Sequence, residues 1–153
     1  MIRTEKRLRL CTALLVCCLI FIWGNSLLPG EISGAISDGV REILETFFPE
    51  GETSPQQESF LLRKMAHFTE IAALGACLAW LFGMLGKRKL FPFLCGAAAA
   101  CVDESIQLFV PGRGPSLRDV GIDTCGVLTG LILLCFGHYL IGKRKTTQHL
   151  EET

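Results

Sequence analysis

Residues 63–75, RKMAHFTEIAALG, pass from two basic residues into almost unbroken apolar sequence, and His67 and Glu70 lie within that transition. The apolar run continues to residue 86, which is long enough to cross a bilayer, since a spanning helix needs about 20 apolar residues. Ionisable groups inside such a segment cost free energy and are typical of functional sites. This stretch therefore predicts a membrane span with a polar site at one of its ends.

Three similar apolar runs accompany the run at 65–86, and they cover residues 8–28, 90–110 and 120–142. Half of the 153 residues are hydrophobic and the mean hydropathy is +0.42, so a small water-soluble core cannot account for the apolar surface. The first run is too long for a signal peptide and lacks a cleavage site after it. We therefore predict an all-α polytopic membrane protein, a single domain over residues 1–153 built as a four-helix transmembrane bundle.

The distribution of basic residues predicts the orientation in the membrane, although the net charge is zero. Ten of the fifteen Lys and Arg residues lie at 3–9, at 87–89 or at 143–145, whereas residues 30–62 carry seven acidic residues and only Arg41. Because cytoplasmic loops are enriched in Lys and Arg, both termini are expected in the cytoplasm. Nothing in this distribution indicates a nucleic-acid partner.

The first outer loop contains an amphipathic segment over residues 32–48. Its apolar residues recur at helical spacing opposite Asp38, Arg41, Glu42 and Glu45. Such a helix would lie along the outer membrane surface or cap the bundle. Residues 49–57, which include two prolines and a glycine, are typical of an exposed loop.

All eight cysteines lie within the apolar runs, and none has the spacing of a metal site or lies in an outer loop. We therefore predict no disulfide framework, no metal and no cofactor, with the cysteines acting as small packing residues.

Polar residues from three predicted spans converge at one membrane depth. At 100° per residue, Arg63, His67 and Glu70 share one face of the second span. The other contributors are the following: Asp103, Glu104 and Gln107 on the third span, and Asp119 and Asp123 at the outer end of the fourth. The sequence therefore predicts a hydrated pocket open to the outer leaflet.

Small residues continue these faces inward and predict close helix contact below the pocket: Gly96 and Ala100 on the third span, Gly126 and Gly130 on the fourth. The GxxxG pattern GVLTG is expected to pack within the bundle. In the turn FVPGRGPSLRD, Ser116 can cap the fourth helix, and Asp119 three residues later can complete a capping box. Capping is thus an alternative role for Asp119.

The segments RKMAHFTEIAALG and DESIQLFVPGRGPSLRDVGIDTCGVLTG together resemble the VanZ family of small bacterial membrane proteins, over residues 63–130. The resemblance implies a role at the bacterial cell envelope, in the cytoplasmic membrane, of the kind that gives low-level resistance to the glycopeptide teicoplanin. The positions that match the family pattern are Arg63, Lys64, His67, Glu70, Asp103, Glu104, Gln107, Arg113 and Asp119. This chain differs from the pattern at Ile71, usually tyrosine, and at Asp123, usually asparagine.

We favour recognition of an anionic lipid-linked cell-wall intermediate, or of a glycopeptide antibiotic that targets it. In this hypothesis Arg63, Lys64, Arg113 and Arg118 grip the anion, because guanidinium groups suit bidentate phosphate contacts. Gln107, Asp119 and Asp123 complete the ligand-binding set by orienting those cations and binding hydroxyl groups.

An alternative is catalysis on the lipid head group, as a hydrolase or transferase. His67, Glu70, Asp103 and Glu104 would be the catalytic residues, since a histidine can exchange protons near neutral pH and adjacent carboxylates raise one another's pKa. Metal-assisted hydrolysis through His67, Glu70, Asp103 and Asp119 is less favoured because basic residues lie nearby. A second alternative is a purely structural network, in which Glu70 pairs with Arg63 and Asp103 pairs with His67.

Overall fold

The computed structural model describes residues 2–47, 54–87, 90–114 and 116–151, and over these residues the protein consists of five α-helices without strands. The helices are α1 (Ile2–Ser26), α2 (Gly30–Phe47), α3 (Pro55–Met84), α4 (Leu90–Gln107) and α5 (Leu117–Glu151). Three of them contain segments long and apolar enough to cross a membrane: Thr4–Ser26, Pro55–Met84 and Leu117–Lys143. The five helices and three apolar segments confirm the prediction of an all-helical membrane protein.

Helix α4 corresponds to the predicted span at 90–110 but is not one of the three apolar helices. It has 18 residues, and its last turns carry Asp103, Glu104 and Gln107, which reduce its apolar character. The first two of these are buried inside the protein. Helix α4 packs against α1, α3 and α5 and so forms part of the same bundle.

Helix α3 begins about ten residues before the predicted span, because helix formation does not require apolar residues. Residues 55–57 form its first turn, so the predicted exposed loop at 49–57 is wrong for this part, while residues 48–53 lie outside the described residues. Pro55 suits a first helical position, where a backbone N–H would have no partner within the helix. The helix ends at Met84, followed by Gly86 with φ +64°, and Lys87 N–H donates to the Phe82 carbonyl at 3.0 Å.

Helix α2 matches the amphipathic segment predicted at 32–48. Ser59 of α3 donates a hydrogen bond of 2.6 Å to Asp38, which attaches the polar side of α2 to α3. The side chains of Ile36, Val40 and Ile43 stay exposed on the protein surface. Attachment at the polar side thus leaves apolar side chains of α2 uncovered by the described part of the bundle.

The core lies mainly between α1, α3 and α5 and is formed by Ile22, Ile71, Leu74, Leu78, Val127 and Leu131. Helices α3 and α5 come closest at glycines. A Cβ added to Gly130 would collide with the carbonyl of Ala72, and one added to Gly75 would collide with the backbone of Val127. The GVLTG pattern therefore packs within the bundle, as predicted.

The turn between α4 and α5 lies against the end of α1. Pro111 and Gly112 occupy its centre, with φ +72° at Gly112 and a hydrogen bond of 3.2 Å from Arg113 N–H to the Val110 carbonyl. A glycine is favoured there because L-residues with side chains rarely adopt this φ. Gly30 N–H, at the start of α2, donates to the Pro111 carbonyl at 3.0 Å. The ends of α1 and α4 and the starts of α2 and α5 thus meet at one end of the bundle.

Candidate functional site

The centre of the polar cluster is His67, which α3 presents to both α4 and α5. Its Nε2 atom lies 3.2 Å from Asp103 Oδ2 and 3.3 Å from Asp123 Oδ2, and its Nδ1 atom lies 3.6 Å from Glu70 Oε2. Three carboxylates from three helices therefore surround one imidazole. The predicted pairing of Asp103 with His67 is present.

The two carboxylates that face Nε2 are among the most buried side chains of the protein. Asp103 is 0% exposed and Asp123 is 2% exposed. Buried polar atoms are normally hydrogen-bonded, because an unpaired one loses its hydration without replacement. Asp103 Oδ1, Asp123 Oδ2 and Glu70 Oε2 nevertheless have no hydrogen-bond partner among the described residues, and neither has His67 Nε2.

A second layer of hydrogen bonds holds these carboxylates in place. Asn25 Nδ2 donates to Glu70 Oε1 at 3.1 Å, and Gln107 Nε2 donates to Asp103 Oδ2 at 3.0 Å. Gln107 also donates to Glu104 Oε1 at 3.2 Å, and the backbone N–H of Ser116 donates to Glu104 Oε2 at 3.1 Å. Glu104 therefore ties α4 to the start of α5 and does not contact His67 directly.

The basic residues of the site have different partners. Lys64 Nζ forms an ion pair of 2.6 Å with Asp119 Oδ1, which joins α3 to α5. Arg113 donates to two backbone carbonyls at the end of α1, from Nε to Leu28 at 3.1 Å and from Nη2 to Asn25 at 2.9 Å. Burial lowers the pKa of Arg113 from its ordinary value, and the positive charge of Arg63 lowers this pKa further.

A cavity of about 160 Å³ opens above the cluster. Its charged and amide lining residues are Asn25, Arg63, Lys64, His67, Glu70, Glu104, Gln107 and Arg113. Asp103 and Asp123 do not line it and lie behind His67. The cavity is therefore lined by charged, amide and apolar groups, and the imidazole of His67 forms its inner wall.

Two predicted roles, those of Arg118 in the anion site and of the Ser116 capping box, differ from the structure. Arg118 is exposed on the first turn of α5 and does not line the cavity. The capping box at Ser116 is incomplete, since the Ser116 hydroxyl accepts a hydrogen bond of 3.1 Å from Arg118 N–H while the Asp119 carboxylate pairs with Lys64. Asp119 thus contributes to the site through an ion pair.

The lining also includes residues that the sequence prediction missed. Asn25, at the end of α1, contacts Glu70, and Ser33 and Ser37 reach the cavity from α2. For Asn25 the sequence offered one signal, which was an amide near the end of an otherwise apolar run. A buried amide needs a hydrogen-bond partner. The contribution of α2 carries no comparable signal, since serines on a helix are ordinarily solvated.

Three residues offer the donor types of a metal site. His67, Asp103 and Asp123 each present one potential ligand atom, and these three atoms lie within 4.8 Å of one another. Glu70 and Asp119, the other acidic residues considered from the sequence, are not members of this group. The imidazole and two carboxylates can act chemically as proton carriers or as metal ligands.

Comparison with known proteins identifies the family. A family model described as VanZ/LLP1 matches residues 11–138, which include α2, α3 and α4, most of α1 and α5, and every residue of the polar cluster. No curated protein and no solved structure matches the chain. The resemblance inferred from residues 63–130 is confirmed and extends further toward both termini. The chain belongs to the VanZ/LLP1 family.

Proposed function

We propose that this VanZ-family envelope protein binds the anionic head group of a lipid-linked cell-wall intermediate in the cavity beside His67. The observation that carries the proposal is that Arg63 and Arg113 both line this cavity while neither guanidinium forms an ion pair with any described residue. The positive charge of Arg63 repels that of Arg113 and, after burial, lowers the pKa of Arg113, while Asp103 and Glu104 act in the opposite direction. A phosphate group would relieve that repulsion and accept charge-assisted hydrogen bonds from both.

The proposal includes the position of the cavity in the membrane. We infer that α1, α3, α4 and α5 all cross the bacterial cytoplasmic membrane, that α2 lies at its outer surface, and that both termini are cytoplasmic. Support comes from Arg7 and Lys87, which lie together at the end of the bundle opposite the cavity. Since basic residues favour the cytoplasmic side, the cavity would open toward the outer leaflet.

The experiment uses the purified full chain in detergent micelles that contain a polyprenyl phosphate, with the uncharged polyprenol as the comparison lipid. Bound lipid is measured by native mass spectrometry. We expect binding of the phosphate, and we expect Arg63→Gln to weaken it about 10-fold, because a hydrogen bond to a charged group contributes about 1.5–3 kcal/mol.

Arg9→Gln is the matched control for this test. It removes the same charge from an exposed position on α1, remote from the cavity lining, and is expected to leave binding unchanged. Equal binding of phosphate and polyprenol, or equal losses in the two variants, would contradict the proposal. If the chain binds teicoplanin but not the lipid, its ligand is a glycopeptide and the lipid proposal is wrong.

A second candidate function is catalysis on the same head group, as a hydrolase or transferase. It is favoured by the contact of His67 with Asp103 and Asp123 directly behind the cavity, since a histidine held by carboxylates can act as a general acid or base. In this case His67→Ala would abolish turnover of the bound lipid while its binding persists. Loss of binding without any detectable wild-type turnover would support recognition alone.

A further inference from the structure

We propose that His67, Asp103 and Asp123 bind one divalent transition-metal ion at the inner wall of the cavity. The inference goes beyond lipid recognition, because it concerns atoms that the proposed anion site does not use. Two of the three residues are buried behind His67 and contribute nothing to the cavity lining.

Two of the three distances between the potential ligand atoms match those around a shared ion, and all three lie within 4.8 Å. His67 Nε2 lies 3.2 Å from Asp103 Oδ2 and 3.3 Å from Asp123 Oδ2. Ligands about 2.0–2.1 Å from a tetrahedral zinc ion are separated by roughly 3.3–3.4 Å. The three side chains come from α3, α4 and α5, so their convergence is produced by helix packing and not by one local motif.

Hydrogen bonding alone does not satisfy this group. Nε2 carries at most one proton, which cannot point at two carboxylate oxygens at once. Asp123 Oδ2 faces Nε2 yet has no hydrogen-bond partner in the described part of the chain, and the same holds for Asp103 Oδ1. Because both carboxylates are almost fully buried, a cation between them would offset a large desolvation cost.

The surroundings resemble the second layer of a metal centre. Metal-bound histidines usually direct their other ring nitrogen at a carboxylate or carbonyl, which fixes the ring. Here Glu70 Oε2 lies 3.6 Å from Nδ1, which is beyond hydrogen-bond distance but on the correct side of the ring, and Asn25 holds the opposite oxygen of Glu70 at 3.1 Å. Gln107 donates to Asp103 Oδ2 at 3.0 Å and so fixes that carboxylate as well.

Two neighbouring basic residues, Lys64 and Arg113, pair with groups other than the three proposed metal ligands. Lys64 is paired with Asp119, and Arg113 donates to backbone carbonyls of α1. The objection that nearby basic residues disfavour a metal therefore no longer applies to Lys64 and Arg113. One imidazole nitrogen and two carboxylate oxygens suit Mn²⁺ or Zn²⁺ better than Mg²⁺, which retains its water and prefers oxygen ligands.

The test measures Mn²⁺ binding to the purified full chain after treatment with a chelator, by equilibrium dialysis and by the electron paramagnetic resonance spectrum of the ion. Mn²⁺ is the deciding probe because the eight free cysteines could bind Zn²⁺ adventitiously, whereas thiolates select softer metals. We expect one ion per chain and a higher thermal unfolding midpoint in its presence, since a ligand that binds only the folded state stabilises it.

The variants Asp123→Asn and His67→Gln are each expected to weaken Mn²⁺ binding at least 10-fold and to remove the rise in midpoint. The controls are Glu42→Gln and His138→Gln, which change an exposed acid on α2 and an exposed histidine on α5. Absence of stoichiometric Mn²⁺ from the wild-type chain would overturn the proposal even if the variants fail to fold.

The metal proposal and the lipid proposal can be refuted independently of one another. Arg63→Gln should lose the lipid and keep the ion, because Arg63 is not one of the three ligands. Asp123→Asn should lose the ion, and its lipid binding then reports whether the ion also assists the head group. If Asp123→Asn and Glu42→Gln bind Mn²⁺ equally, the cluster is an ion-paired histidine and the metal proposal is wrong.

Discussion

At the scale of single residues, Asp119 illustrates how a neighbouring helix decides the role of a side chain. Its position three residues after Ser116 suits a capping box, but its carboxylate lies 2.6 Å from Lys64 Nζ. The two side chains are 30% and 18% exposed, for lysine and aspartate respectively, so water screens the pair only partly. The ion pair therefore links α3 to α5 at the mouth of the site.

This geometry predicts measurable coupling between the two residues. Lys64→Gln and Asp119→Asn are each expected to destabilise the chain, and the double variant is expected to lose less than the sum, by about 0.5–1 kcal/mol. The measurement is a double-mutant cycle on the free energy of unfolding in detergent. Additive losses would show that the pair does not interact in solution, and 1 M salt should reduce the coupling.

The pairings within the cluster show how far residue-level prediction reaches. A helical wheel correctly places His67 and Glu70 on one face, and the pairing of His67 with Asp103 follows from their common depth. The expected pair between Glu70 and Arg63 does not form, since Glu70 contacts His67 and Asn25 instead. Periodicity gives the face of a helix, whereas the partner depends on how neighbouring helices are rotated and translated.

At the scale of helices, the packing of α3 against α5 depends on residues without side chains. The backbone of Ala72 and Ala76 occupies the position that a Cβ of Gly130 would need. Gly137, on the same helix, has no atom within 4 Å of the corresponding position. These two glycines form a matched pair for testing the contact.

Gly130→Ala is expected to destabilise the protein by roughly 1–3 kcal/mol, because added volume in a close-packed contact forces the backbone to move. Gly137→Ala should leave stability unchanged or raise it slightly, since alanine favours helix more than glycine. Thermal unfolding in detergent, followed by circular dichroism, measures both. A comparable midpoint for the two variants would contradict the close contact between α3 and α5.

Helix existence could be predicted from the sequence more reliably than helix ends. Apolar runs located α1, α3, α4 and α5, and the amphipathic pattern located α2. The start of α3 at Pro55 was missed because the prediction followed hydropathy, and residues 55–64 are largely polar. A helix can extend beyond the hydrocarbon when its polar turns have partners, as Ser59 has in Asp38.

At the scale of the whole molecule, the number of spans decides where the termini lie. Three spanning helices would place the two ends of the chain on opposite sides of the membrane, whereas four would place them on the same side. The sequence predicts four, and three helices satisfy the criteria of length and composition. The difference rests on α4, whose acidic residues are buried among its neighbours rather than directed at lipid.

Short epitope tags added to both termini can distinguish an arrangement of three spans from one of four. With four spans, protease added to spheroplasts should leave both epitopes intact, and protease added to inverted membrane vesicles should remove both. The physical reason is that the basic residues before α1 and at the end of α5 favour the cytoplasm. Cleavage of only one epitope in spheroplasts would favour three spans and would place α4 within the bundle as a partly inserted helix.

The junction of Gly30 with the turn at Gly112 has a consequence for how this family can vary. The two segments touch through main-chain atoms, and a Cβ on Gly30 would collide with the Gly112 carbonyl. The junction between the start of α2 and this turn is thus made by peptide groups common to every amino acid. Side chains on either side can be exchanged without breaking this contact, provided that these two positions remain glycine.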